Sequence, residues 1–254
     1  MKLGAMNNPF NNLIKEIEGI GKNNFDFIDI TLEAPKSYYN INLKKIKKTI
    51  ADYNLDVIGH TAWYTPLTSP LKEIRQGTLN YFKNCLDIFS YLGAEKMSIH
   101  PMFFTPHLGV EKNIDITINF PRNLCKESKK RNIKIMLENI GHKFETPKNL
   151  KRIFNSIPDL KFHLDIGHAN LRVGKNQTSR YLKILNKKLE HVHISDNDGS
   201  DDQHLPIGTG NINWKEQINL IKKYKYNKTI TLEVFSRDRD YLLISREKIK
   251  VLLK

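Results

Sequence analysis

The 254 residues carry 39% hydrophobic and 27% charged side chains, a balance that suits a soluble globular protein. Lys+Arg exceeds Asp+Glu by 41 − 27 = 14, which raises the question of a polyanionic partner. No apolar run approaches the roughly 18 residues of a membrane span, and the opening MKLGAMNNPF lacks a signal peptide's apolar core, so a cytoplasmic protein without membrane contact is expected.

Short β-rich runs alternate with amphipathic stretches along the whole chain. Strands are predicted at 2–5, 25–32, 56–61 and 96–100, followed in turn by helices at 13–20, 43–53, 71–92 and 114–131. The second half repeats the unit, with strands at 133–138, 161–165, 190–194 and 229–234 and helices at 147–155, 180–185, 214–224 and 241–253. Gly93 closes a helical run as a helix-ending glycine should, and Thr146 before Pro147 fits an N-cap with proline at the first helical position. Eight βα pairs in a chain of this length predict an α/β fold, a single (β/α)8 TIM barrel with residues 1–254 as one domain. Cys85 and Cys125 both fall in predicted helices, so reduced thiols are expected and no disulfide framework.

Much of the positive charge falls in those helices, at Lys44, Lys45, Lys47, Lys48, Lys129, Lys130, Arg131, Lys222 and Lys223. In a barrel they form the outer ring, away from the C-terminal strand ends where chemistry is placed. Residues 61–71 hold no basic side chain, and residues 195–202 carry Asp196, Asp198, Asp201 and Asp202. Only Lys143, Arg172, Lys175, Arg237 and Arg239 are placed to border the mouth. This placement favours solvated lysine-rich helices over a nucleic-acid footprint.

Nine metal-binding side chains recur at or just beyond the strand ends: His60, His100, Glu138, Asp165, His168, His193, Asp202, His204 and Glu233. Most close an apolar run, as in VIGH, KMSIH, IKIMLE, LKFHLD, EHVHIS and TITLEV. An unpaired charge after such a run is costly, and a cation removes that cost for Glu138 and Glu233. In the HisValHis of β-rich residues 190–194, alternate residues share a face; His193 is read as a ligand and His191 as a core or supporting histidine. Asp165 and His168 form a DxxH pair that is weak alone, because acids also cap helices, but gains weight from the apolar LKFHL before it. His60 and His100 taken singly read equally as structural or ligating, and Asp202 with His204 alone reads as a solvated turn. Together the nine point to one shared site. Nitrogen and oxygen donors without thiolate suit Zn, Mn, Co or Fe better than Mg. Glu138, Asp165, His193 and Glu233 would hold one ion, and the other five would complete a cluster of two or three.

On these motifs, and on LDIGHAN, HISDNDG and HLPIGTGNI, the chain resembles the xylose isomerase-like TIM-barrel superfamily, which includes sugar epimerases and endonuclease IV. The epimerase branch implies ligation by Glu138, Asp165, His193 and Glu233. In that branch the two glutamates serve as the catalytic proton-transfer pair, and His168 contacts a substrate oxygen. Such epimerases often carry an arginine soon after the HxH, where Gly199 falls here. The endonuclease IV branch implies a three-zinc cluster on all nine residues and cleavage of abasic DNA. A metal-dependent isomerase or epimerase of a small sugar, sugar phosphate or polyol is the leading expectation, with one to three divalent ions per chain, zinc or manganese foremost. The endonuclease IV-type phosphodiesterase is the alternative, and only it implies a nucleic-acid partner; a binding barrel without turnover is the third. Trp63 and Tyr64 are candidates to stack on a sugar ring or a base. Arg172, Lys175, Arg237 and Arg239 are candidates to hold a substrate phosphate, Arg237 foremost, against a reading as exposed loop charges. Oligomeric state has no signal in the sequence.

Overall fold

A strand set whose two faces both read as buried needs a cover on each side, and this chain supplies one by closing the sheet on itself. The computed structural model describes residues 1–254 apart from 39–40, 102–104 and 142–145. Eight parallel strands follow one another around a closed barrel: β1 (Lys2–Met6), β2 (Phe27–Leu32), β3 (Asp56–Thr61), β4 (Lys96–Ile99), β5 (Lys134–Glu138), β6 (Lys161–Asp165), β7 (Leu189–Ile194) and β8 (Thr229–Leu232). β8 returns to pair with β1. Among the described residues the outer ring is α1 (Leu13–Lys22), α2 (Leu43–Asp52), α3 (Lys72–Leu92), α4 (Gly109–Lys129), α5 (Pro147–Ser156), α6 (Thr178–Leu185), α7 (Trp214–Lys223) and α8 (Asp240–Leu253). The fold is the expected single (β/α)8 barrel.

Local signals set the ends. Gly93 stops α3 at φ +88°, a left-handed conformation that favours glycine, and Thr146 accepts from the Asn149 amide with Pro147 opening α5. α4 begins five residues before the predicted 114. There Asn113 Nδ2 donates to the Gly109 and Thr105 carbonyls at 2.6 and 3.0 Å, a polar anchor invisible to an apolar-spacing criterion. The same helix runs through Pro121, at the loss of one backbone bond.

The main core lies between the sheet's outer face and the helices, with Ile28, Ile30 and Leu32 of β2 buried with Ile17, Ile46 and Phe89 of α1, α2 and α3. Inside the barrel the apolar filling is small: Phe27, Ile58 and Met136 form a separate cluster. Gly4 makes room for it, since a Cβ there would lie 2.3 Å from the Phe27 ring. Most of the remaining lumen is polar, which sets up the site. Lys44, Lys45, Lys47 and Lys48 are exposed on α2, as the charge placement predicted. Cys85 and Cys125 are buried in α3 and α4 as free thiols. No helix of the described residues is long and apolar enough to cross a membrane.

Candidate metal centre

Strand alternation sends every second side chain into the lumen, and register decides which of them meet. Pairing places Glu138 beside His163, Asp165 beside His193, and His193 beside Thr231. Glu233 follows β8 directly. The result is a layer in which one ligating atom from each of Glu138, Asp165, His193 and Glu233 lies within 4.8 Å of the others, all four buried. His193 Nδ1 is 3.0 Å from Glu233 Oε2 and 3.9 Å from Asp165 Oδ2.

A second set shares Glu138. His60 and His100 present Nε2 to Glu138 Oε2 at 3.3 and 3.1 Å, and His163 Nδ1 reaches the same oxygen at 3.1 Å. His60, Glu138 and His193 also come within 4.8 Å of one another. At the rim, His168 Nε2 meets Asp202 Oδ2 at 3.0 Å, and His204 Nε2 meets the same oxygen at 3.1 Å. His168 Nδ1 lies 2.8 Å from the Asn139 carbonyl and 3.2 Å from Glu138 Oε1. All nine sequence candidates therefore gather at the C-terminal mouth, four in a tight layer and five around it.

The loop carrying Asp202 and His204 is held from below. Asp196 and Leu205 exchange backbone bonds at 2.9 and 2.8 Å, so residues 197–204 leave the barrel and return at one point. The buried Asp196 carboxylate accepts from Gly208 N, Trp214 Nε1, Asn197 N and Ile212 N at 2.7, 2.9, 3.0 and 3.3 Å. Asn170 Nδ2 donates to Asn197 Oδ1 at 2.9 Å and ties this loop to the one after β6.

Above the layer opens a cleft of about 600 Å³ whose walls include Phe10, Trp63, Leu171 and Phe235, with Glu33 and Arg172 as polar edges. Trp63 is 54% exposed and packs edge-on to Tyr64, ring centroids 5.8 Å apart. Arg172 lines the cleft and approaches Asp201 at 3.4 Å. The other cations border it less closely: Arg237 is exposed and outside the lining, Lys175 faces Glu216 at 3.6 Å, and Arg239 pairs with Glu16. Lys143 lies outside the described residues.

The electrostatics show buried carboxylates offset by imidazoles: burial disfavours charged His168 and His193, but the surrounding acids hold both well above the ordinary imidazole range. Burial, helped by the neighbouring Glu138 and Glu233, raises the Asp165 carboxyl to about 6. Burial also pushes Glu138 up, but the His163 and His100 imidazoles outweigh it and hold that carboxyl well below the ordinary range. Burial disfavours a charged His204, yet Glu233 and Asp202 raise it to about 9. Three carboxylates in one buried layer repel each other, and Asp165 Oδ2 has no hydrogen-bond partner there. A divalent cation fits this donor set: it would neutralise the acids and take up the orphaned oxygen.

Two lumen residues, Asp29 and His163, escaped the sequence reading, and His191 takes the supporting place that was one of its two readings. Asp29 on β2 is fully buried beneath His193, His163 contacts Glu138, and His191 contacts Asp29. Their signal is a polar residue inside an apolar run, sharing the parity of a strand-end ligand: His163 with Asp165, His191 with His193. Asp29 has that parity with Thr31.

The sequence profile described as "Xylose isomerase-like TIM barrel" matches residues 17–254. An uncharacterized protein of Methanocaldococcus jannaschii is 28% identical, over 98% of this chain and 92% of its own length. A protein named probable endonuclease 4 from Thermosipho melanesiensis is also 28% identical, over 91% of this chain and 89% of its own. Among solved structures, a D-tagatose 3-epimerase-like protein superposes with a TM-score of 0.85 at 27% identity, covering 100% of this chain and 97% of that one. With the closed barrel, the donor layer at its C-terminal mouth and a profile spanning all but the first sixteen residues, the chain belongs to the xylose isomerase-like TIM-barrel family.

Proposed function

We propose that the protein is a metal-dependent isomerase or epimerase of a small sugar or polyol derivative. The observation carrying this reading is the meeting of Glu138 and Glu233 within 4.8 Å, with Asp165 and His193, on the floor of a cleft walled by apolar rings. The likeness to a D-tagatose 3-epimerase-like structure supports it. A divalent cation held by Glu138, Asp165, His193 and Glu233, manganese or zinc by donor type, supplies positive charge that stabilises negative charge developing on substrate oxygens.

The chain's own residues do the rest. One of Glu138 and Glu233 takes a proton from carbon and the other returns one, a pair of positioned transfers that typically contributes about 10²–10⁴-fold. Imidazoles around Glu138 Oε2 keep that carboxylate ionised and able to accept. His168 lines the cleft and exchanges its Asp202 partner for a substrate oxygen. Trp63 offers an apolar face to a sugar ring and limits water. Glu138→Gln in the metal-loaded protein is expected to abolish incorporation of solvent deuterium into substrate with the fold intact; retained exchange removes Glu138 from the mechanism.

A second reading has its own support. His60, His100, Asp202 and His204 gather at the same mouth beyond the four-donor set, as a multi-ion phosphodiesterase of the endonuclease IV type would need, and one relative carries that name. Against it, the lysine excess sits on outer helices such as α2, and Arg172 is the only Lys or Arg among the cleft's described lining residues. Abasic duplex with zinc at low salt decides between them. Cleavage that weakens steeply with salt favours the nuclease; no cleavage beside sugar turnover favours the epimerase.

A further inference from the structure

The Asp29 carboxylate does not touch the cleft, yet its position beneath the metal centre is unusually constrained. It is fully buried on β2, and a single oxygen, Oδ2, receives three neighbours. His193 Nε2 lies at 2.8 Å, Thr231 Oγ1 at 2.9 Å and His191 Nε2 at 3.1 Å. A carboxylate oxygen only accepts, so each of these neighbours donates. His193 therefore carries a proton on Nε2, and its Nδ1 faces Glu233 and Asp165 at 3.0 and 3.9 Å, where an ion would take the place of a second proton.

The partners below fix the same direction. Lys96 Nζ donates to Thr229 Oγ1 at 3.0 Å, which frees the Thr229 hydroxyl proton for His191 Nδ1 at 2.8 Å. His191 then has its own proton on Nε2, aimed at Asp29. The hydrogen bonds run in one sense up the lumen, from Lys96 near the barrel's lower end to the ion-binding layer.

We propose that Asp29 is a positioning residue that locks His193 as the Nε2–H tautomer, so that Nδ1 faces the ion, with His191 and Thr231 holding Asp29 in place. The proposal rests on the metal-centre reading. A histidine ligand whose other nitrogen is fixed by a carboxylate binds more tightly, and removing such a partner typically costs about 10–100-fold in metal affinity. Of the four residues that would hold the ion, Asp29 contacts His193, so its change reaches the ion through that imidazole.

The test uses the full chain, zinc as the probe, and Asp29→Asn as an isosteric variant. Calorimetry is expected to show zinc dissociation weakened about 10–100-fold in Asp29→Asn, with circular dichroism unchanged. Thr231→Val, which removes one bond to Asp29, is expected to weaken it by less than about tenfold. Histidine ¹⁵N spectra of zinc-loaded wild-type protein are expected to show His193 protonated on Nε2 and zinc-shifted at Nδ1, a signature that a merely structural Asp29 would leave free. Wild-type zinc affinity in a folded Asp29→Asn, or a His193 proton on Nδ1, overturns the proposal. If Asp29→Asn does not fold, the wild-type tautomer decides. A wild-type chain that binds neither zinc nor manganese overturns the metal-centre reading itself and this inference with it.

Discussion

Asp196 is the residue whose removal should reach furthest through the structure. Its carboxylate accepts four hydrogen bonds inside the loop after β7, from Gly208 N, Trp214 Nε1, Asn197 N and Ile212 N. Each buried donor left without an acceptor costs about 1–3 kcal/mol. The 3.3 Å bond is weak and entering water satisfies part of the rest, so Asp196→Ala should destabilise the fold by about 3–6 kcal/mol, against a typical total of about 5–15. Asp196→Asn keeps one acceptor but turns an amide toward two donors, and should fall between. Trp214→Phe removes a single bond at 2.9 Å and should cost about 1–2 kcal/mol. Urea unfolding followed by circular dichroism reads all three, and the order Ala, Asn, then Trp214→Phe is the signature. An Asp196→Ala variant within about 1 kcal/mol of wild type would refute the view that this carboxylate organises the loop bearing Asp202 and His204.

Three further outcomes are expected. The Asp165 carboxyl, raised to about 6 by burial and by Glu138 and Glu233, binds its proton more tightly folded than unfolded. Its contribution to stability is thus present below the unfolded value and lost as pH rises through about 6, where a cation can replace the proton. Manganese affinity by calorimetry should drop at least about tenfold for each pH unit below that value, and a flat profile there contradicts the role given to Asp165. Burial raises the thiols of Cys85 and Cys125 each to about 12, so both should resist Ellman's reagent at neutral to mildly alkaline pH until global unfolding; rapid labelling of native protein contradicts this. Gly4→Ala drives a Cβ to 2.3 Å from the Phe27 ring and should cost about 1–3 kcal/mol or more in urea, whereas unchanged stability means the lumen repacks freely.

Much of the fold could be read from the chain because each βα unit repeats the same two signals, an apolar run and then a 3.6-residue pattern. The start of α4 moved because side-chain hydrogen bonds of Asn113, not apolar spacing, anchor its first turn. The nine candidates are legible in the sequence because most close an apolar run, where an unpaired charge is costly, even though His60, His100 and the Asp202–His204 pair taken singly also read as structural or solvated. Asp29 and His163 lie inside their runs and read as interruptions, and His191 reads as core or supporting; their meaning depends on which strand faces which across the lumen. Distances between the nine were equally out of reach. Only closure of β8 on β1 brings Glu233 to Glu138 across some 95 positions of sequence, a separation of 233 − 138. Arg237, near a strand end in sequence, is exposed and lies outside the cleft's described lining, a placement that sequence distance alone does not give.

Diffraction from crystals soaked in zinc, with anomalous scattering collected at its absorption edge, addresses the founding assumption without needing a substrate. The account predicts one fully occupied ion in the buried layer, about 2.0–2.2 Å from an atom of each of Glu138, Asp165, His193 and Glu233, meeting the imidazole at Nδ1. An empty layer in crystals that hold zinc elsewhere would contradict it.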